Sequence, residues 1–257
     1  MRRNGKFNSG KHGLSPFQQS GVLLVDKPKE WTSFDVVNFV RSRFNIPKTG
    51  HCGTLDPAAT GLLVLVLGRF TKLSQKFSGE DKVYDASILL GTETDSQDMD
   101  GKIIRTADPS GVTEKQLRDT FNEFIGEQQQ IPPMVSAVKI DGKKLYELAR
   151  KGEEIERDPK DITIYSLDVK SVNLPYADFS VHCSKGTYIR TLCSDIGSRL
   201  GCGAVLNGLK RTSSGSFMLS DAVSVETLKE WEQPELEAYL SDFLYRKISS
   251  NPQFSSI

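Results

Sequence analysis

The chain of 257 residues is poor in cysteine and histidine, with four and three respectively, and it carries no excess charge: 33 Lys and Arg stand against 33 Asp and Glu. Each scarcity excludes something. Cys52, Cys183, Cys193 and Cys202 form no C-x-x-C pair, so zinc-ribbon and thioredoxin signatures are absent and no metal centre is expected. His51 and Cys52 are adjacent, and adjacent residues rarely converge on one ion. The N-terminus has no apolar stretch of the kind that directs secretion, so the thiols are expected to be reduced and the protein cytoplasmic. The longest apolar run, Leu62 to Leu67, is strand-sized and far short of the roughly 18 residues of a membrane span. Neutrality at first counts against a phosphate-rich partner, which usually attracts a basic protein.

What is present reads as globular, with 37% hydrophobic and 26% charged residues. Residues 1–20 hold Arg2, Arg3, Lys6 and Lys11 without an acid and read as a disordered basic arm. Gly21 to Asp26 is a short apolar strand halted by Lys27-Pro28. Thr32 and Asp35 have the spacing of a capping box, followed by Phe34, Val37, Val40 and Phe44 at helical intervals. Thr60 to Gly68 predicts a strand buried on both faces, and Val83 to Leu90 one that presents Tyr84, Ala86, Ile88 and Leu90 to a single side. Asp100-Gly101 predicts a hairpin turn. Thr113 to Ile125 predicts a capped helix with Leu117, Phe121 and Ile125 as its stripe and Gly126 as its stop. Two alternating strands, Ile162 to Val172 and Asp178 to Ser184, precede a helix marked by Ile189, Leu192, Ile196 and Leu200 that ends at Gly201. Strands and helices mix without regular βαβ alternation, which favours an α+β fold on a mainly antiparallel sheet.

The densest unusual segment is Gly50-His-Cys-Gly-Thr-Leu-Asp-Pro-Ala-Ala-Thr-Gly61, directly before the buried strand. It lacks the glycine, lysine and hydroxyl order of a phosphate-binding loop, and its prominent feature is Asp56 held by Pro57. Asp-Pro also caps ordinary turns. A carboxylate that acts as nucleophile or base must stay ionised, so a cation is expected beside it. Arg190, where a strand meets a helix N-terminus, is the best candidate. Thr94 to Gly101 has the look of a calcium loop, but Ser96 and Ala107 fall where acids are required, leaving an acidic hairpin tip. Residues 182–220 carry Lys185, Arg190, Arg199, Lys210 and Arg211 against Asp195 alone, whereas residues 221–257 carry seven acids and three bases. Zero net charge is therefore a sum of unlike parts. A basic face with Tyr84, Tyr188 and His51 for stacking suits a folded RNA with an extruded base.

In order along the chain, Gly21-Val-Leu-Leu-Val-Asp-Lys-Pro28, Gly50 to Pro57, Tyr84-Asp-Ala86, Gln130 to Lys139, Lys185-Gly-Thr-Tyr-Ile-Arg190 and Arg211-Thr-Ser-Ser-Gly215 resemble the TruB family of tRNA pseudouridine-55 synthases. The resemblance implies a pseudouridine synthase fold: a mixed, mainly antiparallel sheet flanked by helices, with the catalytic domain over residues 21–220. It also implies a thumb-like insertion over about 124–152, with Tyr146 and Arg150, closing on the tRNA T-arm. The family commonly carries a C-terminal PUA barrel. Residues 221–257 read as a short helical extension instead, with that barrel reduced or absent.

Activity on the T-loop uridine is implied, by base flipping, glycosidic cleavage and rejoining through C5, without cofactor, metal, membrane or obligatory protein partner and in a monomer. Asp56 would be the catalytic aspartate, Arg190 its ion-pair partner and Tyr84 a base-stacking residue that is also a candidate to remove the C5 proton. His51 would contact the RNA where the base leaves its stack. Lys27 and Pro28 would support the loop, Asp98 would contact the flipped nucleotide, and Tyr188 and Leu209 would line the pocket, with Lys72 near RNA. Another RNA target, or a tRNA-binding factor without catalysis, are the alternatives.

Overall fold

The structure is a computed structural model that describes residues 19–136, 139–140, 143–144 and 155–250, with side chains described as far as 243. The strands are β1 (Gly21–Lys27), β2 (Thr49–His51), β3 (Thr60–Leu67), β4 (Lys82–Leu90), β5 (Thr92–Thr94), β6 (Ile103–Thr106), β7 (Gly126–Gln130), β8 (Lys139–Ile140), β9 (Lys143–Lys144), β10 (Lys160–Asn173), β11 (Tyr176–Cys183), β12 (Ala204–Ser214), β13 (Phe217–Met218) and β14 (Val223–Ser224). The helices are α1 (Ser33–Arg43), α2 (Ser74–Ser78), α3 (Glu114–Glu123), α4 (Ile189–Leu200), α5 (Val225–Glu230) and α6 (Gln233–Ser250). One large sheet runs β14-β1-β3-β12-β4-β11-β10-β7, with β2 beside β3 and β13 beside β12. Among the described strands, β1–β14 and β3–β12 alone pair in parallel. The expected α+β architecture with a mostly antiparallel sheet is what the chain adopts.

Local signals explain most boundaries. Thr32 with Asp35, and Thr113 with Gln116, each close a reciprocal capping box, satisfying backbone donors that a helix start leaves free. Gly201 ends α4 in the left-handed region, at φ 82°. The β3 sequence, Thr-Gly-Leu-Leu-Val-Leu-Val-Leu, lies between two cores. Leu63, Leu65 and Leu67 pack with β1, α1, α5 and α6 on one face, while Leu62, Val64 and Val66 pack with Phe70, Phe77 and Phe217 on the other. The third core puts α3 and α4 on one face of β4, β10, β11 and β12. All four cysteines are buried and free.

Several expectations are corrected in detail. Phe34 is 58% exposed, because the buried face of α1 is formed by Ser33, Val36, Val37 and Val40. Helix α3 stops at Glu123, leaving Ile125 exposed, since Gly126 already opens β7 at φ 114°. Strand β12 is not marked by the sequence, because Asn207-Gly208 and Lys210-Arg-Thr212 interrupt its apolar pattern. The acidic tail, read as a helical extension, forms α5 and α6. Leu236, Leu240 and Phe243 of α6 are buried against the sheet, each stabilising by about 1.5–3 kcal/mol. Residues 1–18, and Tyr146 and Arg150 in the proposed thumb, lie outside the described residues.

The two halves of the sheet meet where β3 touches β12 through only two pairs, Lys210 with Thr60 and Arg211 with Gly61. Gly61 has φ 95°, and a Cβ there would lie 2.8 Å from the Arg211 nitrogen and closer still to its carbonyl oxygen. Glycine is therefore required on both conformational and steric grounds. Gly61→Ala should destabilise the protein by more than about 2 kcal/mol in urea unfolding, whereas Gly111→Ala, in open space, should stay within about 0.5 kcal/mol.

Candidate active site

The loop between β2 and β3 carries Asp56 and is pinned from several sides. The Ser33 hydroxyl accepts from the Leu55 amide (2.8 Å) and donates to the Leu55 carbonyl (3.0 Å). The Glu30 amide donates to the Pro57 carbonyl at 2.8 Å, and Lys27 Nζ reaches the same oxygen at 3.3 Å. Gly53, at φ 93°, offers its carbonyl to Arg211 Nη2 at 3.1 Å. A loop held at these points presents Asp56 from a rigid support.

Arg190 stands in the first turn of α4 and is only 4% exposed, so it is not a surface residue. Its Nε lies 3.1 Å from Asp56 Oδ2 and its Nη1 lies 3.5 Å from Asp98 Oδ2. Nη1 also donates to the Ser96 carbonyl (3.0 Å) and Nη2 to the Val135 carbonyl (2.8 Å). One guanidinium thus joins the Asp56 loop, the acidic hairpin and the segment after β7. The hairpin is fixed in turn by Gln97, which sits at φ 66° and accepts from the Thr191 hydroxyl at 2.8 Å.

Burial pushes the Asp56 carboxyl upward from its ordinary value; Arg190 opposes that shift and Asp98 adds to it. Burial likewise raises the Tyr84 phenol, against the charge and hydrogen bond of Arg211. Burial and the Arg211 charge lower His51, which favours a neutral imidazole, while a hydrogen bond to the Gly53 backbone opposes this.

A cavity of about 360 Å³ opens here, and Asp56, Tyr84, Tyr188, Arg190 and Leu209 share its wall. The other expected residues lie around rather than in it. Asp98 sits behind Arg190 as its second carboxylate. Lys27 is fully buried and donates to the Pro28 and Trp31 carbonyls as well as Pro57, so it braces the loop from below with Pro28. His51 flanks the loop on β2, and its buried Nδ1 meets no hydrogen-bond geometry with any described residue. Lys72 is exposed in the short helical turn after β3, away from the cavity wall.

Two further residues, Lys82 and Arg211, also line the wall, and sequence reading assigned neither to the site. Arg211 was expected on a basic face, yet it is 1% exposed. Alternation could have placed Lys82 on the same side as Tyr84, but nothing in a strand marks a lysine as buried. Among the described residues no group of His, Cys, Asp or Glu has the arrangement of a metal site. No described helix is long and apolar enough to cross a membrane.

Residues 41–189 match the family model described as TruB family pseudouridylate synthase (N terminal domain), and residues 190–245 match the tRNA pseudouridylate synthase B C-terminal domain. The chain is 47% identical over 220 residues to tRNA pseudouridine synthase B of Opitutus terrae, covering 86% of this chain and 91% of that protein. It is 48% identical over 211 residues to the Clostridium tetani protein of the same name, covering 82% and 73% respectively. Among solved structures, a chain of a Cbf5-Nop10-Gar1 complex matches with TM-score 0.65 and 31% identity, over 81% of this chain and 53% of that one. A chain of an H/ACA RNP bound to a substrate RNA containing 2′-deoxyuridine matches with TM-score 0.61 and 26% identity, over 82% and 52%. The chain therefore spans about half the length of these structural neighbours.

The geometry makes Arg190 the group that favours the charged form of Asp56. Arg190→Gln should move the Asp56 pKa further upward, because the stabilising cation is lost while burial remains. Carboxyl-carbon NMR titration would check it, and an unchanged or lower value would contradict the assignment.

Proposed function

The chain belongs to the TruB family of pseudouridylate synthases, and on that premise we propose that it isomerises the T-loop uridine, position 55, of tRNA to pseudouridine in the cytoplasm, as a monomer without an obligatory protein partner. One observation carries the reading: the ion pair of Asp56 with Arg190 at 3.1 Å, on the wall of a cavity that also holds Tyr84. Similarity to tRNA-acting relatives over most of both chains supports tRNA as the substrate.

The target atoms are buried inside a stacked loop, so the nucleotide must be extruded, at a cost of a few kcal/mol. Stacking on Tyr84, contact with Tyr188 and Leu209, and displacement of the stack by His51 offset that cost. The N1–C1′ bond then breaks and the base keeps the electron pair. Asp56 either takes up C1′ as an ester or removes the C2′ proton to leave a glycal, and its ionised form serves both routes. The base turns, C5 bonds to C1′, and the C5 proton leaves, with Tyr84 the candidate to accept it. N1 is protonated at the end. Every heavy atom of the nucleotide is retained, and one proton at C5 is exchanged for one at N1. On the glycal route the C2′ proton returns as C5 bonds to C1′, so the reaction needs no redox partner or group donor. Enclosure keeps water from the detached sugar.

Arg190 holds Asp56 in its reactive orientation, and Asp98 holds Arg190. Lys27 and Pro28 act on the loop rather than on the RNA, while exposed Lys72 meets the phosphate backbone. Asp56→Asn should still bind a tRNA transcript but release no tritium from C5-labelled uridine; retained turnover would remove Asp56 from the mechanism. Affinity for tRNA should fall steeply, in a log–log plot against salt, despite a net charge of zero. Filter binding at several ionic strengths measures that slope.

A further inference from the structure

The buried charges around the cavity do not balance. Among the described residues the buried charged side chains are Lys27, Lys82, Arg190, Arg211 and Asp98. Four cations therefore face one buried carboxylate, with half-exposed Asp56 as a second. Arg190 answers both acids. The other three cations make no ion pair among the described residues and rest on backbone carbonyl dipoles. Lys82 Nζ donates to the Ser78 carbonyl at 2.8 Å and to that of Glu80. Arg211 donates through Nε to Leu62 (2.7 Å) and through Nη2 to Gly53 (3.1 Å), and its charge acts on the Tyr84 phenol.

Lys82 and Arg211 both line the cavity and act on one another as like charges. Gly53 permits their approach to the loop: a Cβ there would lie 3.3 Å from Arg211 Nη1 and 3.8 Å from Lys82 Cε. Burying cations without a counter-ion is costly. The strain is visible in Lys82, whose amine is lowered to about 8 by burial and then by Arg211, against Cys183 and the neighbouring acids Glu80 and Asp81, neither of which forms an ion pair with it. A cavity wall of this kind is electrostatically complete only with an anion inside.

Uridine isomerisation, the function proposed for this chain and the premise of this inference, generates such an anion. When N1–C1′ breaks, its electron pair stays on uracil, giving a uracilate with charge spread over N1, O2 and O4. The sugar's deficit is met by the Asp56 carboxylate or by loss of the C2′ proton. The anion persists until C5 bonds to C1′. We propose that Lys82 and Arg211 form a cationic wall that stabilises the detached uracilate while it turns, leaving Asp56 to serve the sugar. Preorganised charge aimed at charge that develops only during reaction accelerates the chemical step rather than binding.

The test compares leaving groups. Fluorine at C5 makes uracil more acidic at N1, so its anion needs less stabilisation. T-stem-loop RNA with uridine or 5-fluorouridine at the target position is followed in single turnover under saturating enzyme. Digestion and chromatography report loss of the N1-linked nucleoside. Lys82→Gln, which keeps a donor without charge, should slow uridine cleavage by about 100-fold. The loss on 5-fluorouridine should be at least tenfold smaller in ratio, with RNA affinity changed less than about twofold. Lys82→Arg should restore most of the rate.

Equal losses on both substrates would overturn the proposal and leave Lys82 a purely structural residue. An effect confined to affinity would overturn it in favour of phosphate binding. Lys82→Met is read by the same ratio should the glutamine variant not fold. Failure of the unaltered protein to convert uridine would instead refute the underlying function.

Discussion

Arg211 is the residue on which the site's geometry converges. Its side chain is almost wholly removed from water; its hydrogen bonds go to Leu62 on β3 and to Gly53 in the Asp56 loop, and its charge acts on the phenol of Tyr84 on β4. Those three places belong to different pieces of the chain, and a guanidinium fork fixes the first two relative to each other because its donors lie in one plane. Backbone at the same residue pairs with Gly61, the narrow junction between the two halves of the sheet. Cavity, loop and stacking residue are thereby referred to a single point.

A second arginine does the corresponding work from the other wall. Arg190 links the Asp56 loop to the acidic hairpin and to the strand exit near Val135. The two arginines divide the labour: one supports backbone, the other pairs with a carboxylate and opposes the upward shift that burial gives it. Lys27 adds a third brace beneath the loop. The Asp56 carboxylate is consequently fixed by its surroundings rather than by its own contacts with solvent.

Most of the fold was legible because its elements announce themselves locally. Capping boxes at Thr32 and Thr113, glycine at 201 and the unbroken apolar run of β3 each carry their own physical signature. Strand β12 was not legible, since its polar residues are satisfied by tertiary contacts that leave no local trace. Phe34 and Ile125 illustrate the converse: apolar residues with suitable spacing stay exposed when no neighbouring element covers them. For the site, the dense run of glycine, proline and small polar residues directly before β3 drew attention to Asp56, and the need for a counter-charge pointed to Arg190. Lys82 and Arg211 escaped because a buried cation is recognisable only from the carbonyls that converge on it.

The four buried cysteines have a practical consequence. Burial pushes the thiol of Cys52 up to about 11 and that of Cys183 up to about 12, and raises Cys193 as well. A thiol reacts as its thiolate, so at neutral pH these sulfurs are nearly inert toward maleimides and iodoacetamides. With Cys202 shielded by its burial, the folded chain offers little to cysteine labelling reagents. A single exposed cysteine placed far from the cavity would be the one reactive handle, ready for a fluorophore or spin label without first stripping the native thiols.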